Sequence, residues 1–413
     1  MIARLPADLQ AILAALVAHA EPQAAVWLVG GVVRDLLLGV TLGHDVDLAI
    51  EGDVAALAPH LSAALGGELL ATHPPFGTAT LQIAGYTFDL ARTRREVYAH
   101  PAALPTVTPA PLQVDLQRRD FSINAMAIRL HAAEQQVRAG SFVDPYAGRA
   151  DLAANCLRLL HAQSLRDDPT RMLRGVRLAA RLDLTPEPST AAQIAEALAA
   201  GYLALLSPER VLSEVCLALD EERPAATLAC SDAWGVTPQI LPGLHATPAI
   251  HARFARYAAA PEHADLPPES QRWLRAALCL GDLPDPSAPL QRYVMPVPLA
   301  RLLRKLPAVW ALIPQLAQPH SPGALDALLH PFSISELRVL HYASPKHAEV
   351  IDYYVNHLRP QRPPLDGRDL QRLGIAPGPQ IKQMLTALRR AYLDGEITTL
   401  AQAEDWVRER VMG

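Results

Sequence analysis

Two carboxylates separated by one residue, Asp45 and Asp47, open an apolar run that continues Leu48-Ala49-Ile50. Side chains alternate along a strand, so the pair shares one face, roughly 7 Å apart by strand rise. Shortly before them Gly30-Gly31 closes another apolar run, Val26-Trp27-Leu28-Val29, and Arg34 follows just inside an apolar stretch that ends at Gly39. Glycine lets a backbone approach a ligand closely, and the N–H groups of a turn that feeds a helix hold phosphate oxygens. Two carboxylates on one face beside such a turn suit Mg²⁺ carrying a nucleoside triphosphate. Taken singly, a Gly-Gly is a turn and an Asp-x-Asp a solvated strand face. The chemistry lies in their conjunction.

The elements that must position these residues alternate in type. Residues 1–22 read as an amphipathic helix, 26–29 as a strand, 32–39 as a short helix and 44–50 as a second strand. A helix over 53–65 is closed by Gly66-Gly67, and 78–83 and 86–91 form a hairpin about Ala84-Gly85. The stretch 92–114 is proline-rich and without period, which reads as a long functional loop. An apolar run over 120–128 reads as a helix leading to a strand near 127–130. From about residue 150 strand signals fade. Helical spacing dominates, with helices expected over 149–154, 170–181, 190–200 and 208–219. Proline and glycine breaks near 241–243, 260–268, 283–288, 359–364 and 376–379 cut the rest into short helical units. The fold class is an α/β head followed by an all-helical remainder.

Half of the 413 residues are apolar and 19% are charged, enough for a sizeable core in several domains. No apolar stretch reaches the ~20 residues of a membrane helix, and the N-terminal segment has no small-residue cleavage site. Cys156, Cys216, Cys230 and Cys279 form no CxxC, which points to reduced core thiols in a cytoplasmic protein and to no zinc site. The net charge of −5 requires any nucleic-acid partner to meet a local basic patch. Between residues 346 and 390 bases outnumber acids, which makes Arg368, Arg372, Lys382 and Arg389 the candidate RNA contacts.

The run LVGGVVRDLLLG followed by DVDLAI resembles motif A of the DNA polymerase β nucleotidyltransferase superfamily, and more narrowly of the class II tRNA nucleotidyltransferases, which build the 3′-terminal CCA. Arg118-Arg119-Asp120-Phe121-Ser122-Ile123-Asn124-Ala125-Met126-Ala127 resembles motif B, with Ser122 where Thr is commoner. The plain alternative is a helix start capped by Asp120. Phe142-Val143-Asp144-Pro145-Tyr146-Ala147-Gly148 resembles the hinge motif C, and Asp167-Asp168-Pro169-Thr170-Arg171 resembles motif D with Asp167 in place of Glu. Ser207-Pro208-Glu209-Arg210 resembles motif E, where Glu209 and Arg210 would support the template helix.

The resemblance implies roles residue by residue. Asp45 and Asp47 would hold two Mg²⁺ ions, with Asp89 a candidate third carboxylate. Gly30, Gly31, Arg34, Arg119, Asp120 and Asn124 would surround the triphosphate and ribose. Asp168 and Arg171 would read the base, and Arg174 and Arg177 would stack on the nucleotide or meet phosphate. It also implies a catalytic head over 1–148, a neck over 149–222, a body over 223–325 and a tRNA-binding tail over 326–413.

The expected activity is transfer of C and A from CTP and ATP to the tRNA acceptor arm, with neither membrane nor DNA as partner. The CC-adding type is marked by a shortened loop between motifs A and B. The full-length stretch 92–114 favours an enzyme that completes CCA. Addition of CC or A alone, a poly(A) polymerase and a silent RNA-binding protein are the alternatives. A small-molecule nucleotidyltransferase fits less well, given the base-reading motif and helical tail.

Overall fold

The computed structural model describes residues 2–21, 23–133, 136–260 and 266–412. Its chain divides into two compact units, Met1–Ile240 and Leu241–Gly413. The head and neck expected from sequence therefore fall within the first unit, and the boundary expected at 222 lies inside it.

The first unit is built on a seven-stranded mixed sheet. Its strands are β1 (Ala25–Val29), β2 (Asp45–Glu51), β3 (Glu68–His73), β4 (Thr78–Ile83), β5 (Tyr86–Arg92), β8 (Ala127–Ala133) and β9 (Gln136–Val143), in the order β3-β4-β5-β2-β1-β8-β9. β6 (Arg94–Val97) and β7 (Thr106–Pro109) pair separately. β2 and β5 run parallel, with Asp47 opposite Asp89, and the remaining neighbours are antiparallel. Alternation gives the sheet two different faces. Val46, Leu48 and Ile50 pack with Val26, Leu28, Phe88 and Leu90 under α1 (Ala7–Ala20) and α3 (Val54–Leu65). The opposite face of β2 carries Asp45, Asp47 and Ala49. Ala49 joins Val29, Ala127, Leu112 and Leu116 in a small second cluster.

Between β1 and β2, α2 (Gly31–Leu38) is stopped by Gly39 in the left-handed conformation, and α3 is capped by Asp53, which accepts from the N–H groups of Ala55 and Ala56. Two strands, β3 and β9, and the short helix α4 (Leu112–Gln117) stand where no element was expected. The stretch 92–114 is not an aperiodic loop, because most of it, 94–109, is an antiparallel hairpin. Arg94, Arg95, Glu96 and Val97 pair with Pro109, Thr108, Val107 and Thr106. The prolines that hid the hairpin sit at its tip and its end, where the ladder needs no N–H from them. The helix expected after Asp120 is a single 3₁₀ turn, Ser122–Asn124.

Helices then follow as expected at α5 (Gly148–Ala153), α7 (Thr170–Leu182), α8 (Pro188–Ala199) and α9 (Pro208–Asp220), and one further short helix, α6 (Ser164–Asp167), stands where none was expected. Beyond residue 150 the described strand features are a two-residue parallel pair, Cys156–Leu157 with Thr185–Pro186, and a single antiparallel bridge from Leu159 to Phe121.

The second unit is helical throughout its described residues. One of its cores gathers Val309, Leu325, Leu329, Leu337, Leu340, Ile351 and Tyr354, and another gathers Leu365, Leu370, Leu388, Ile397 and Val407. The break near 260–268 includes residues 261–265, which lie outside the described set. No helix among the described residues is long and apolar enough to cross a membrane. Cys279 is buried, whereas Cys156, Cys216 and Cys230 are only partly so, which corrects their expected place in the core.

Candidate active site

The glycine turn, the aspartate strand and the Arg119 guanidinium meet at one point. Gly30 has φ +70° and ψ −136°, a backbone conformation that side-chain-bearing residues avoid. A Cβ there would stand 3.3 Å from Arg119 Nη1 and 3.6 Å from Asp47 Oδ2. Arg119 is held from behind by Asp115 (Nη2 to Oδ2, 3.1 Å), while its Nε is buried without a hydrogen-bond partner. Arg34 gives Nε to Asp35 and Nη1 to Asn124 Oδ1 at 2.8 Å. The Asn124 amide donates to Asp120 Oδ1 at 3.2 Å. The structure thus brings Gly30, Gly31, Arg34, Asp47, Arg119, Asp120 and Asn124 into one connected constellation.

The electrostatics of the aspartates suit a divalent cation. The Asp47 side chain reaches solvent, yet desolvation by the surrounding protein pushes its carboxyl above the ordinary carboxylate value. Arg119 works against this, Asp89 and Asp45 add to it, and Arg34 opposes it. Asp89 accepts from Thr80 Oγ1 at 2.6 Å on the neighbouring strand. Among the described residues no three His, Cys, Asp or Glu side chains form a ready metal cluster. A pair of carboxylates completed by substrate phosphates and water is the arrangement Mg²⁺ favours. The residues present therefore fit such an ion.

Buried Asp115 and Asp120 behave in the opposite way to Asp47. Burial alone would raise Asp115, but Arg119 and then Arg118 outweigh it and hold the carboxyl low. Burial is likewise outweighed at Asp120 by the Arg174 guanidinium, the Phe121 N–H and the Asn124 amide. A carboxyl held low in the folded state contributes its full stability above the unfolded value near 4, and loses it as pH falls through the folded value. Thermal unfolding temperature is expected to hold steady from about pH 7 to pH 5 and to fall below about pH 4. Asp120→Asn should flatten that acid limb; a limb identical to wild type would remove Asp120 as its source.

The neck supplies the next layer. Asp168 accepts from the Thr170 N–H (3.1 Å), Thr170 Oγ1 (2.6 Å) and Arg210 Nη2 (2.7 Å), all on Oδ1. Its Oδ2 has no hydrogen-bond partner among the described residues. Arg171 is 4% exposed and donates Nη1 to Ser164 Oγ and Nη2 to the Arg118 carbonyl, both at 2.6 Å. That carbonyl belongs to the residue preceding Arg119, so a single peptide joins the Asp168 region to the glycine turn. Arg210 also donates to the Ala102 carbonyl at the hairpin tip, whose N–H bonds Arg166 O. Glu209, expected to help here, stays exposed in the first turn of α9.

Motif C is a turn. Asp144 takes the N–H groups of Gly148 and Arg149, and a Cβ on Gly148 would stand 2.1 Å from Ser122 O, so only glycine fits.

Two expected contacts are turned inward. Arg177 is clamped by Glu214 (2.6 Å) and Glu221 (3.1 Å), so its guanidinium is engaged by protein carboxylates where a nucleotide contact was expected. Arg389 pairs with both oxygens of Asp326 and donates to the Gln361 carbonyl, so its guanidinium is engaged within the protein where an RNA contact was expected. Arg368, Arg372 and Lys382 remain exposed, with Arg372 paired to Asp369. Sequence reasoning missed Asp115 and Glu96, which hold Arg118, Arg119 and Arg94 in place. The spacing of Asp115 four residues before Arg119 was a helix-pair signal, hidden because α4 is so short.

A mixed sheet with a glycine turn, an aspartate pair and converging arginines defines a nucleotidyl-transferring head. Residues 26–158 match the family model of the poly A polymerase head domain. Over 388 residues the chain is 34% identical to the A-adding tRNA nucleotidyltransferase of Halalkalibacterium halodurans, covering 93% of this chain and 88% of that one. The CC-adding tRNA nucleotidyltransferase of Deinococcus radiodurans is also 34% identical, over 92% of this chain and 87% of its own. A solved CCA-adding enzyme in complex with ATP superposes with a TM-score of 0.79 at 25% identity, covering 100% of this chain and 96% of that one. The chain belongs to the class II tRNA nucleotidyltransferase family. Nucleotidyltransferases of this type are generally metal-dependent.

Proposed function

We propose that this enzyme completes the 3′ end of tRNA, adding C and A from CTP and ATP with release of pyrophosphate. The observation that carries this reading is that Asp168, with Oδ2 left open, and Arg171, with guanidinium N–H groups left over, stand one turn apart at the start of α7, joined by the Arg171 N–H to the Asp168 carbonyl at 3.1 Å. Cytosine and adenine each present an exocyclic amine next to a ring acceptor, whereas uracil and guanine present a carbonyl next to a ring N–H. Asp168 Oδ2 accepts from the amine, and the remaining Arg171 N–H groups donate to the ring acceptor. A uracil or guanine there would leave buried polar groups unpaired.

Asp45 and Asp47 hold two Mg²⁺ ions, with Asp89 adding negative charge beside them. Bound magnesium supplies a lowered pKa for the attacking 3′-hydroxyl and charge compensation for the triphosphate. The Gly30–Gly31 turn, Arg34 and Arg119 orient the triphosphate. Asp120 and Asn124 face the ribose, and Arg174 meets the nucleotide from the neck. Arg368, Arg372 and Lys382 contact the tRNA backbone in the tail.

The stretch 92–114, with its hairpin over 94–109 tied at the tip to Arg210, supports addition of the terminal A. A second reading, addition of A alone, has its own support in the A-adding relative that aligns over 93% of the chain. Three tRNA transcripts decide, ending at the discriminator base, at the first C and at the second C. Growth of the first by three nucleotides is expected with CTP and ATP together. Growth only of the third means A addition, growth that stops after two means CC addition, and no growth of any overturns the proposed activity.

A further inference from the structure

The polar contacts of the nucleotide residues continue beyond the site as an alternating chain of charge. Asp120, 6% exposed, takes Arg174 Nη1 on its Oδ2 at 3.1 Å while Asn124 ties its other oxygen to Arg34. Arg174 Nη2 lies 3.9 Å from Glu214 Oε1, too far for a hydrogen bond but well within Coulomb range. Glu214 accepts from Arg177 Nη1 on its other oxygen at 2.6 Å, and Arg177 is also paired with Glu221.

Arg174 therefore stands between two carboxylates, one from the head and one from α9, yet its side chain remains 42% exposed. Glu214 itself is 9% exposed. A carboxylate so far removed from water is costly unless paired. Arg177 shares Glu221 with Arg181, whose Nε donates to it at 2.8 Å, so Glu214 is the second carboxylate Arg177 needs. Only one oxygen of Glu214 serves Arg177, however, and the other, Oε1, is the one turned toward Arg174.

We propose that Glu214 is a positioning residue for the incoming nucleotide, fixing the Arg174 guanidinium against Asp120 so that its remaining N–H groups stand ready for the ligand. The inference rests on the reading that Arg174 meets the nucleotide. Without the Glu214 charge, Arg174 samples more orientations, and nucleotide binding must supply the ordering. Transition-state chemistry at Asp45 and Asp47 is not touched, so the change belongs in KM and not in kcat. Base choice is not touched either, because Asp168 and Arg171 keep their partners.

The test is steady-state kinetics on a tRNA acceptor with Glu214→Gln, Arg174→Ala and the double variant, each checked for folding by thermal melting. Glu214→Gln is expected to raise KM for CTP and for ATP together by about tenfold, with kcat and the KM for tRNA within about twofold of wild type. Glu214→Asp, which keeps the charge, should recover part of the loss. In the Arg174→Ala background Glu214→Gln should add nothing further, since residues acting through one contact are not additive. A fall in kcat or melting temperature with unchanged nucleotide KM, or an effect that adds to that of Arg174→Ala, overturns the proposal. If Arg174→Ala also leaves nucleotide KM unchanged in an active enzyme, the placement of Arg174 at the nucleotide falls with it. If Arg174→Ala raises KM and Glu214→Gln does not, only the positioning role falls.

Discussion

Asp47→Ala is expected to lower nucleotide incorporation by at least about 10³-fold while leaving the fold intact. The size of the loss follows from what the residue would do. A carboxylate that carries the metal cannot be replaced by water without losing the site that activates the hydroxyl and offsets the triphosphate charge. The intact fold follows from where the side chain stands. The core of this strand is on its other face, where Val46, Leu48 and Ile50 are at most 2% exposed. Asp47 makes no hydrogen bond that the sheet needs, and the costs of its partial burial and of the like charges Asp89 and Asp45 are only partly offset by Arg119 and Arg34. Removing it relieves repulsion, so the melting temperature should stay level or rise slightly. Affinity for tRNA should survive, because the proposed backbone contacts lie in the tail. Single-turnover incorporation of labelled ATP, with a thermal melt and a tRNA binding titration on the same sample, checks all three. Activity within tenfold of wild type in a folded sample would remove Asp47 from the metal site.

The sheet face that carries Asp47 was legible in the sequence because two short-range rules agree there. Period-2 alternation placed Asp45 and Asp47 together, and the glycine pair marked the turn before them. The hairpin 78–91 and helices α7 and α9 were legible for similar reasons: Ala84-Gly85 marks a tight turn, and helical apolar spacing runs uninterrupted through both helices. Long-range partners were not legible. Nothing local tells that Asp89 lies opposite Asp47, since parallel pairing depends on a crossover through α3 and two intervening strands. Nor does local sequence show that Arg177 and Arg389 face inward, because an arginine on a helix reads the same whether its partner is a phosphate or a buried glutamate. Arg174, three residues before Arg177 on the same helix, has an open side chain although Asp120 pairs with it and Glu214 lies 3.9 Å away. The strands β3 and β9 escaped notice for a different reason. Both are edge strands with mostly exposed side chains, so neither shows the apolar alternation of a buried strand.

Arg171→Ala is expected to lower the preference for CTP and ATP over UTP and GTP by about 10², and to cost about 2–3 kcal/mol of stability. Both effects come from the same guanidinium. Two of its N–H groups are already given to Ser164 Oγ and the Arg118 carbonyl in a nearly closed environment. Truncation leaves that carbonyl without its donor, and an unsatisfied buried acceptor costs about 1–3 kcal/mol. In the proposed reading the remaining N–H groups donate to the ring acceptor of cytosine or adenine. They oppose the ring N–H of uracil or guanine, so their loss hurts the correct bases and tolerates the wrong ones. The two effects separate in Arg171→Lys, which keeps the charge but lacks the planar fork. It should recover stability in part, through one donor, while base choice stays loose. Misincorporation with each of the four NTPs, expressed as ratios of kcat/KM, isolates selectivity from any loss of folded protein. A ratio unchanged in Arg171→Ala would reduce the residue to a brace for Arg118 and leave Asp168 as the one proposed reader of the base.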